Sequence, residues 1–173
     1  MNKRISWFVI AVLAQTLILA AVPARKIYTR QTGRTVVLKC APVDPYNIMS
    51  GYYVILSYEI SRPQISKDWH KWRRSQTVWV VLQKGDNEVW DAVSVHDSRP
   101  TRTPDSAVVI KGRKGHRTII YGIESYFIPE DARHEINQDL RKNFDKARVE
   151  VKVDSFGHAA LIKLMIEDRV YEY

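Results

Sequence analysis

The 173-residue chain is 45% hydrophobic and 27% charged, with seven glycines and seven prolines, a composition that supports one well-buried core and excludes disorder, collagen and repeat arrays. Its single cysteine, Cys40, excludes an internal disulfide, a redox CxxC pair and metal sites built from several thiolates. A surplus of 27 Lys and Arg over 19 Asp and Glu gives +8, which favours anionic surfaces, whether lipid, polymer or protein.

In chain order, Lys3 and Arg4 precede Ile5–Val22, ISWFVIAVLAQTLILAAV, eighteen residues without a charge. A helix over this run is roughly 27 Å long, close to the hydrocarbon thickness of a bilayer. Helical bonding satisfies its amides in lipid, and Pro23, Arg25 and Lys26 supply a stop. Residues 1–24 therefore read as a single N-terminal membrane anchor. Two alternatives stand beside it: a buried helix of a soluble protein, or a cleaved signal peptide. The second suits the sequence less well, because Pro23 spoils the cut at Val22-Pro23-Ala24 and the apolar core is long. Lys3 and Arg4 on one side and Arg25, Lys26, Arg30 and Arg34 on the other leave orientation open to the positive-inside count. Residues 25–34 read as a juxtamembrane linker or a continuation of the anchor helix, and residues 35–173 as one extramembrane domain.

The remainder is dominated by short β-branched and aromatic runs bounded by Gly, Pro, Asp and Ser. Strands are expected over Thr35–Cys40, Tyr52–Ile60, Thr77–Gln83, Val89–Val95, Ala107–Lys111, Arg117–Phe127, Arg148–Val153 and Ala159–Ile166. The fold class is mainly β, an antiparallel sandwich, barrel or curved sheet, with one short amphipathic helix and the N-terminal transmembrane helix. The short helix is marked by Ala132, Ile136, Leu140 and Phe144 at i, i+4, with Pro129 and Glu130 before it and Arg141 and Lys142 at its exit. Hairpins are legible at Lys84-Gly85-Asp86-Asn87 and Asp154-Ser155-Phe156-Gly157. Arg99–Ser106, with two prolines, reads as a surface loop.

No motif frames a reaction. His70, His96, His116, His134 and His158 fall on different elements without i, i+4 zinc spacing, and no GxSxG, SxxK, P-loop or GxGxxG occurs. Neither a metal nor another cofactor is expected. In Arg62–Gln76, RPQISKDWHKWRRSQ, Trp69 and Trp72 are interleaved with Lys67, Lys71, Arg73 and Arg74. Such aromatics among cations suit a bilayer interface or an acidic protein; the simpler reading plugs one Trp into the core edge and leaves the charges solvated. Base stacking is the remaining use of that pattern, and the anchor makes nucleic acid an unsuited client. Lys111–Arg117, KGRKGHR, reads as a solvated hairpin tip.

Along Arg117–Phe127, alternation puts Ile119, Tyr121, Ile123, Ser125 and Phe127 on one face and Ile120, Gly122, Glu124 and Tyr126 on the other. Glu124 is then a carboxylate among apolar neighbours, which needs a cationic partner or borders a polar site. In the strand after Gly51, Tyr52, Val54, Leu56 and Tyr58 oppose Tyr53, Ile55, Ser57 and Glu59; both faces are largely apolar, so the strand should be central. Gly51 provides the tight turn before it.

Ala41-Pro42-Val43-Asp44-Pro45 followed by Gly51-Tyr52-Tyr53-Val54-Ile55-Leu56-Ser57-Tyr58 resembles the signature of the GDYXXLXY family of membrane-anchored bacterial proteins. The resemblance extends to Ala21–Ala24, to Tyr121–Glu130 (YGIESYFIPE) and to the closing hairpin around Gly157. One departure stands out: the aspartate of the family signature is Tyr52 here. A carboxylate that a phenol can replace is no obligatory acid, base or ligand, so its role in relatives is turn geometry. The resemblance implies an anchored, extracytoplasmic β domain at the inner membrane, without an assigned activity.

The expected function is a binding or assembly module that presents a basic β domain to a membrane-protein partner or envelope component, in contact with the bilayer and without nucleic acid. An envelope hydrolase, peptidase-like and centred on Asp44 and Glu124, is the alternative. The candidate binding or structural residues are Asp44, Gly51, Tyr53, Leu56, Tyr58, Glu124 and Tyr126, with Trp69, Trp72, Arg73 and Arg74 as a candidate surface contact. Catalytic residues are not assigned, and the sequence carries no signal for an oligomeric state.

Overall fold

The structure, a computed structural model, describes residues 3–41, 49–50, 53–62, 69–85 and 87–172. Helix α1 (Lys3–Thr32) is followed by strands β1 (Arg34–Ala41), β2 (Met49–Ser50), β3 (Tyr53–Ile55), β4 (Ser57–Tyr58), β5 (Thr77–Lys84) and β6 (Trp90–His96). Strands β7 (Val108–Lys114), β8 (Ile119–Ile120) and β9 (Ser125–Phe127) precede helix α2 (Arg133–Asn143), and β10 (Ala147–Val153), β11 (Ala159–Ile166) and β12 (Arg169–Glu172) complete the chain. Mostly β, as expected, the protein is 40% strand and its strands pair antiparallel.

Among the described residues three sheets form: β12-β11-β10-β1-β4, β6-β5-β7-β8 and the small β2-β3-β9. Period-two alternation turns Val36, Leu38 and Cys40 of β1, Val149 and Val151 of β10, and Val78, Val80 and Leu82 of β5 into one buried cluster. Helix α2 completes it with Ile136 and Leu140, one helical turn apart and fully buried.

Four expectations change. The run 52–60 is not one central strand: β3 lies in the small sheet between β2 and β9, Leu56 interrupts the ladder, and β4 crosses to the edge of the five-stranded sheet beside β1. Likewise 117–127 divides into β8 and β9, because Gly122 takes φ +83° and turns the chain. Burial is consequently out of phase with the simple alternation, so Tyr126 is buried while Phe127 is exposed. Only the second half of the basic run from Lys111 is a hairpin tip: β7 continues through its first half to Lys114, whose side chain points inward, and the largely exposed turn at 115–118 then leads back into β8. Strand β12 was not expected, its four residues RVYE being too short and too charged to stand out.

Helix α1 does not stop at Pro23 but continues to Thr32, so the apolar helix runs on through most of residues 25–34. Its last turns pack on β10 and β11, and that docking holds helical a stretch that Pro23 would otherwise weaken. The helix is long and apolar enough to cross a membrane. Ile5, Trp7, Phe8, Leu13, Leu17, Ile18 and Leu19 are between 55% and 73% exposed, so the β domain does not cover that part of it.

The β10–β11 hairpin also locks the two larger sheets together. Gly157, at φ +82°, offers its carbonyl to the Lys111 amide of β7 at 2.7 Å, and a Cβ there would lie 2.8 Å from the Trp79 ring. Gly157→Ala combines a left-handed backbone with a ring clash, and should cost about 1–3 kcal/mol. Thermal unfolding of the detergent-solubilised full chain measures this, and an unchanged melting temperature would refute the fit.

Candidate functional site

Asp44 and Gly51 lie outside the described residues. The other candidates of the signature converge on the point where β3 gives way to β4. Leu56 is buried and its amide, freed from the ladder, donates to the Glu124 carbonyl at 2.7 Å. Tyr58 is fully buried and its hydroxyl donates to the Ile123 carbonyl at 2.5 Å. In the opposite sense, the Tyr121 hydroxyl donates to the Ile60 carbonyl at 2.7 Å. Two phenols thus clasp the 58–60 segment to the 121–124 turn. Burial, with a smaller contribution from the Glu124 charge, pushes both phenols well above their ordinary pKa, so they remain protonated donors.

Among the described residues, Glu124 meets no arginine, and it lines neither of the two clefts beside α1. Its two carboxylate oxygens accept from the amides of Tyr121 at 2.5 Å and Gly122 at 2.8 Å, capping the turn that Gly122 makes. Tyr126 pairs with Val54 in register and sends its hydroxyl to the Tyr171 carbonyl at 2.8 Å, tying β9 to β12. Tyr53 is half-buried, with its ring 5.8 Å from that of Phe127.

The tryptophan segment is a separate place. Trp69 and Trp72 pack against the core with ring centroids 6.1 Å apart, edge to face. Beneath them Lys114 donates to both their carbonyls, at 2.6 and 2.5 Å, and lies 4.9 Å from the Trp69 ring centroid. Arg73 and Arg74 are exposed. Both rings serve the fold, therefore, while the two arginines remain available to solvent.

Sequence reasoning passed over the junction of α1 with the β domain. There Asp154, its side chain almost fully buried, accepts from the Thr29 hydroxyl of α1 at 2.6 Å and from the amides of Phe156 at 2.8 Å and His158 at 3.0 Å. Burial alone would raise this carboxyl, but those bonds together with nearby His158 hold it below its ordinary pKa. His158 is itself lowered, by burial first and then by Arg25, against the pull of Asp154.

Beside this joint a cleft of about 520 Å³ runs between α1 and the ends of β7 and β8, and a second of about 320 Å³ lies toward β9 and β11. Arg25 and Lys26 of the helix face Lys111 and Arg113 of the sheet across the first. The usable signal in sequence was the period of two: Lys111 and Arg113 continue the outward face of Val109, and hence belong to a strand. Among the described residues, no group of three or more His, Cys, Asp and Glu side chains is arranged to hold a metal ion. Cys40 is buried and its thiol is pushed up to about 12, which removes it as a nucleophile at neutral pH.

The family model described as GDYXXLXY protein matches residues 15–164, from within α1 to β11. No curated protein and no solved structure matches the chain.

Two substitutions test this geometry. Glu124→Gln would turn an amide nitrogen toward a backbone N–H that now has an acceptor, and is expected to cost about 1–3 kcal/mol, read from thermal unfolding. A variant as stable as wild type would show that the cap carries no weight. Asp154→Asn should cost about 1–2 kcal/mol at neutral pH. Because the Asp154 pKa is depressed on folding, its contribution is complete above the unfolded value near 4 and is lost as pH falls through the lower folded value. The gap between wild type and variant should therefore close under acid. His158, also depressed, adds a separate loss below about pH 6.5 in both proteins. A gap that is constant down to pH 2 would exclude the charged joint.

Proposed function

This chain belongs to the GDYXXLXY protein family, and from that membership and its docked helix we propose that it is a membrane-anchored assembly module. The apolar part of α1 lies in the bilayer, and the β domain stands outside the cytoplasm, against the inner-membrane surface, where it contacts a membrane protein or envelope component. One observation carries the reading: α1 leaves its apolar side chains uncovered along most of its length, yet its last turns are bonded to the domain through Thr29 and Asp154. A domain joined this way is held at the membrane surface instead of trailing on a tether. Engagement of both Glu124 oxygens by backbone amides favours this module over a hydrolase that would need that carboxylate free.

Orientation rests on the family. The cations Arg25, Lys26, Arg30 and Arg34, counted alone, would favour the opposite topology. The intact chain is expected in the membrane fraction after alkaline carbonate extraction, and the domain should be digested by protease added to spheroplasts. Release by carbonate, or a fragment beginning near Arg25, would remove the anchor. Protection in spheroplasts with digestion in inverted vesicles would reverse the topology. Crosslinking followed by affinity purification from native membranes should then recover the partner.

A further inference from the structure

The anchor supplies a depth scale. With Ile5–Val22 in the hydrocarbon layer, a rise of 1.5 Å per residue sets Arg25 and Lys26 roughly 4.5 and 6 Å beyond it. The headgroup region occupies about 5–8 Å on each side of the bilayer, so both cations fall within it. Folding brings Lys111 and Arg113 to the same cleft, although they lie more than 80 residues away in sequence. Lys26 also borders the second cleft, together with Arg30.

Among the described residues, none that lines either cleft is acidic. Nor does any described carboxylate form an ion pair with Arg25, Lys26, Lys111 or Arg113. Convergent charges of one sign in a cleft repel each other and concentrate an anion. A volume near 520 Å³ is that of a small-molecule site. Its boundary is amphipathic: Ala21, from the apolar run, closes the membrane side, while Ile120 is an exposed apolar side chain at its edge. Phe127 at the second cleft and Phe156, packed 6.5 Å from the Tyr28 ring, are exposed around the same foot of the helix. Aromatic and aliphatic side chains at this level suit the bilayer interface.

We propose that the cleft between α1 and β7–β8 binds the phosphate of an anionic phospholipid, with the acyl chains leaving past Ala21 along the apolar face of α1. Arg25 and Arg113 would grip the phosphate oxygens as guanidinium forks, with Lys26 and Lys111 as additional point charges. An acidic protein segment would satisfy the same cations but not the apolar boundary at the hydrocarbon edge. The inference rests on α1 lying in the bilayer, as proposed above.

The test uses the full chain reconstituted in vesicles of phosphatidylcholine alone or mixed with phosphatidylglycerol. Electron paramagnetic resonance of spin-labelled phosphatidylglycerol and spin-labelled phosphatidylcholine gives the immobilised fraction of each lipid. A cation near an anionic lipid surface contributes a preference of about fivefold, so wild type should favour the glycerol lipid by at least that factor. Arg25→Gln with Arg113→Gln should lower the preference by at least about fivefold, whereas Arg73→Gln with Arg74→Gln, in the tryptophan segment, should retain it. Buried Cys40 reports folding: each variant must resist alkylation as wild type does, and if the double variant does not, Lys26→Gln alone, with its expected fivefold loss, takes its place.

Insertion of wild type into both vesicles without a lipid preference, or with a preference that the cleft variants leave intact, would overturn the inference and leave the anchor standing. Failure to resist carbonate extraction from either vesicle would overturn the anchor, and the lipid site with it. Displacement of the labelled lipid by inorganic phosphate, but not by sodium chloride at matched ionic strength, would assign the cleft to a soluble phosphate and refute the lipid. Crosslinks from residue 26 to an acidic protein, without lipid preference, would assign it to a protein partner.

Discussion

The bond between the Thr29 hydroxyl and the Asp154 carboxylate decides where the helix stands on the β domain. A carboxylate nearly removed from water is costly unless its lone pairs are filled, and here a helix hydroxyl and two turn amides fill them. Those donors come from both sides of the joint: one carboxylate oxygen holds the hairpin turn and the other receives the helix. The two clefts exist only because α1 is fixed at this distance from β7 and β11. Gly157 extends the arrangement one layer further, since the same turn that receives Thr29 also bonds Lys111 of the second sheet. Helix, five-stranded sheet and four-stranded sheet therefore meet within the residues Asp154–His158.

The family signature has a different physical task. Its spacing of Tyr53, Leu56 and Tyr58 fits a chain that changes sheets: Leu56 fills the core at the crossing, and Tyr58 uses its phenol to bond a backbone carbonyl that the broken ladder leaves available. The second block answers it, with Tyr121 bonding back to Ile60 and Glu124 holding the turn between them. Such hydroxyl-to-carbonyl bonds require a tyrosine at both places, because phenylalanine fills the volume and leaves a buried acceptor unpaired. That requirement explains an aromatic motif without invoking a ligand.

Much of this was legible in the residues and some was not, for reasons that separate cleanly. Long runs such as Thr77–Gln83 and Arg148–Val153 emerged as strands, and Ile136 and Leu140 placed the short helix. Periodicity failed where a residue alters backbone direction while leaving the apolar pattern intact. Gly122 and Leu56 do this in the runs 117–127 and 52–60, where alternation extends smoothly across a turn and a change of sheet. Lys111 to Lys114 misled in the opposite way, since charge suggested solvent while the strand continued and buried one lysine under two tryptophans. Thr29 and Asp154 were invisible because they lie 125 residues apart and neither belongs to a pattern. The cations of the cleft share that property: each is unexceptional locally, and only the fold makes them neighbours.

With α1 in the bilayer as proposed, its continuity from the apolar run into Thr29 carries a consequence for how the domain faces its surroundings in the plane of the membrane. Each residue of helix turns the chain by about 100° and advances it by 1.5 Å. The azimuth of the β domain about the membrane normal is thus geared to whichever side of the buried helix is held by its neighbours. One residue added between Ala20 and Arg25 would barely change the height of the domain but would swing its outer surface through more than a quarter of a circle. In a chain with a slack linker the same insertion would pass unnoticed; here the helix acts as a compass needle for the domain that it carries.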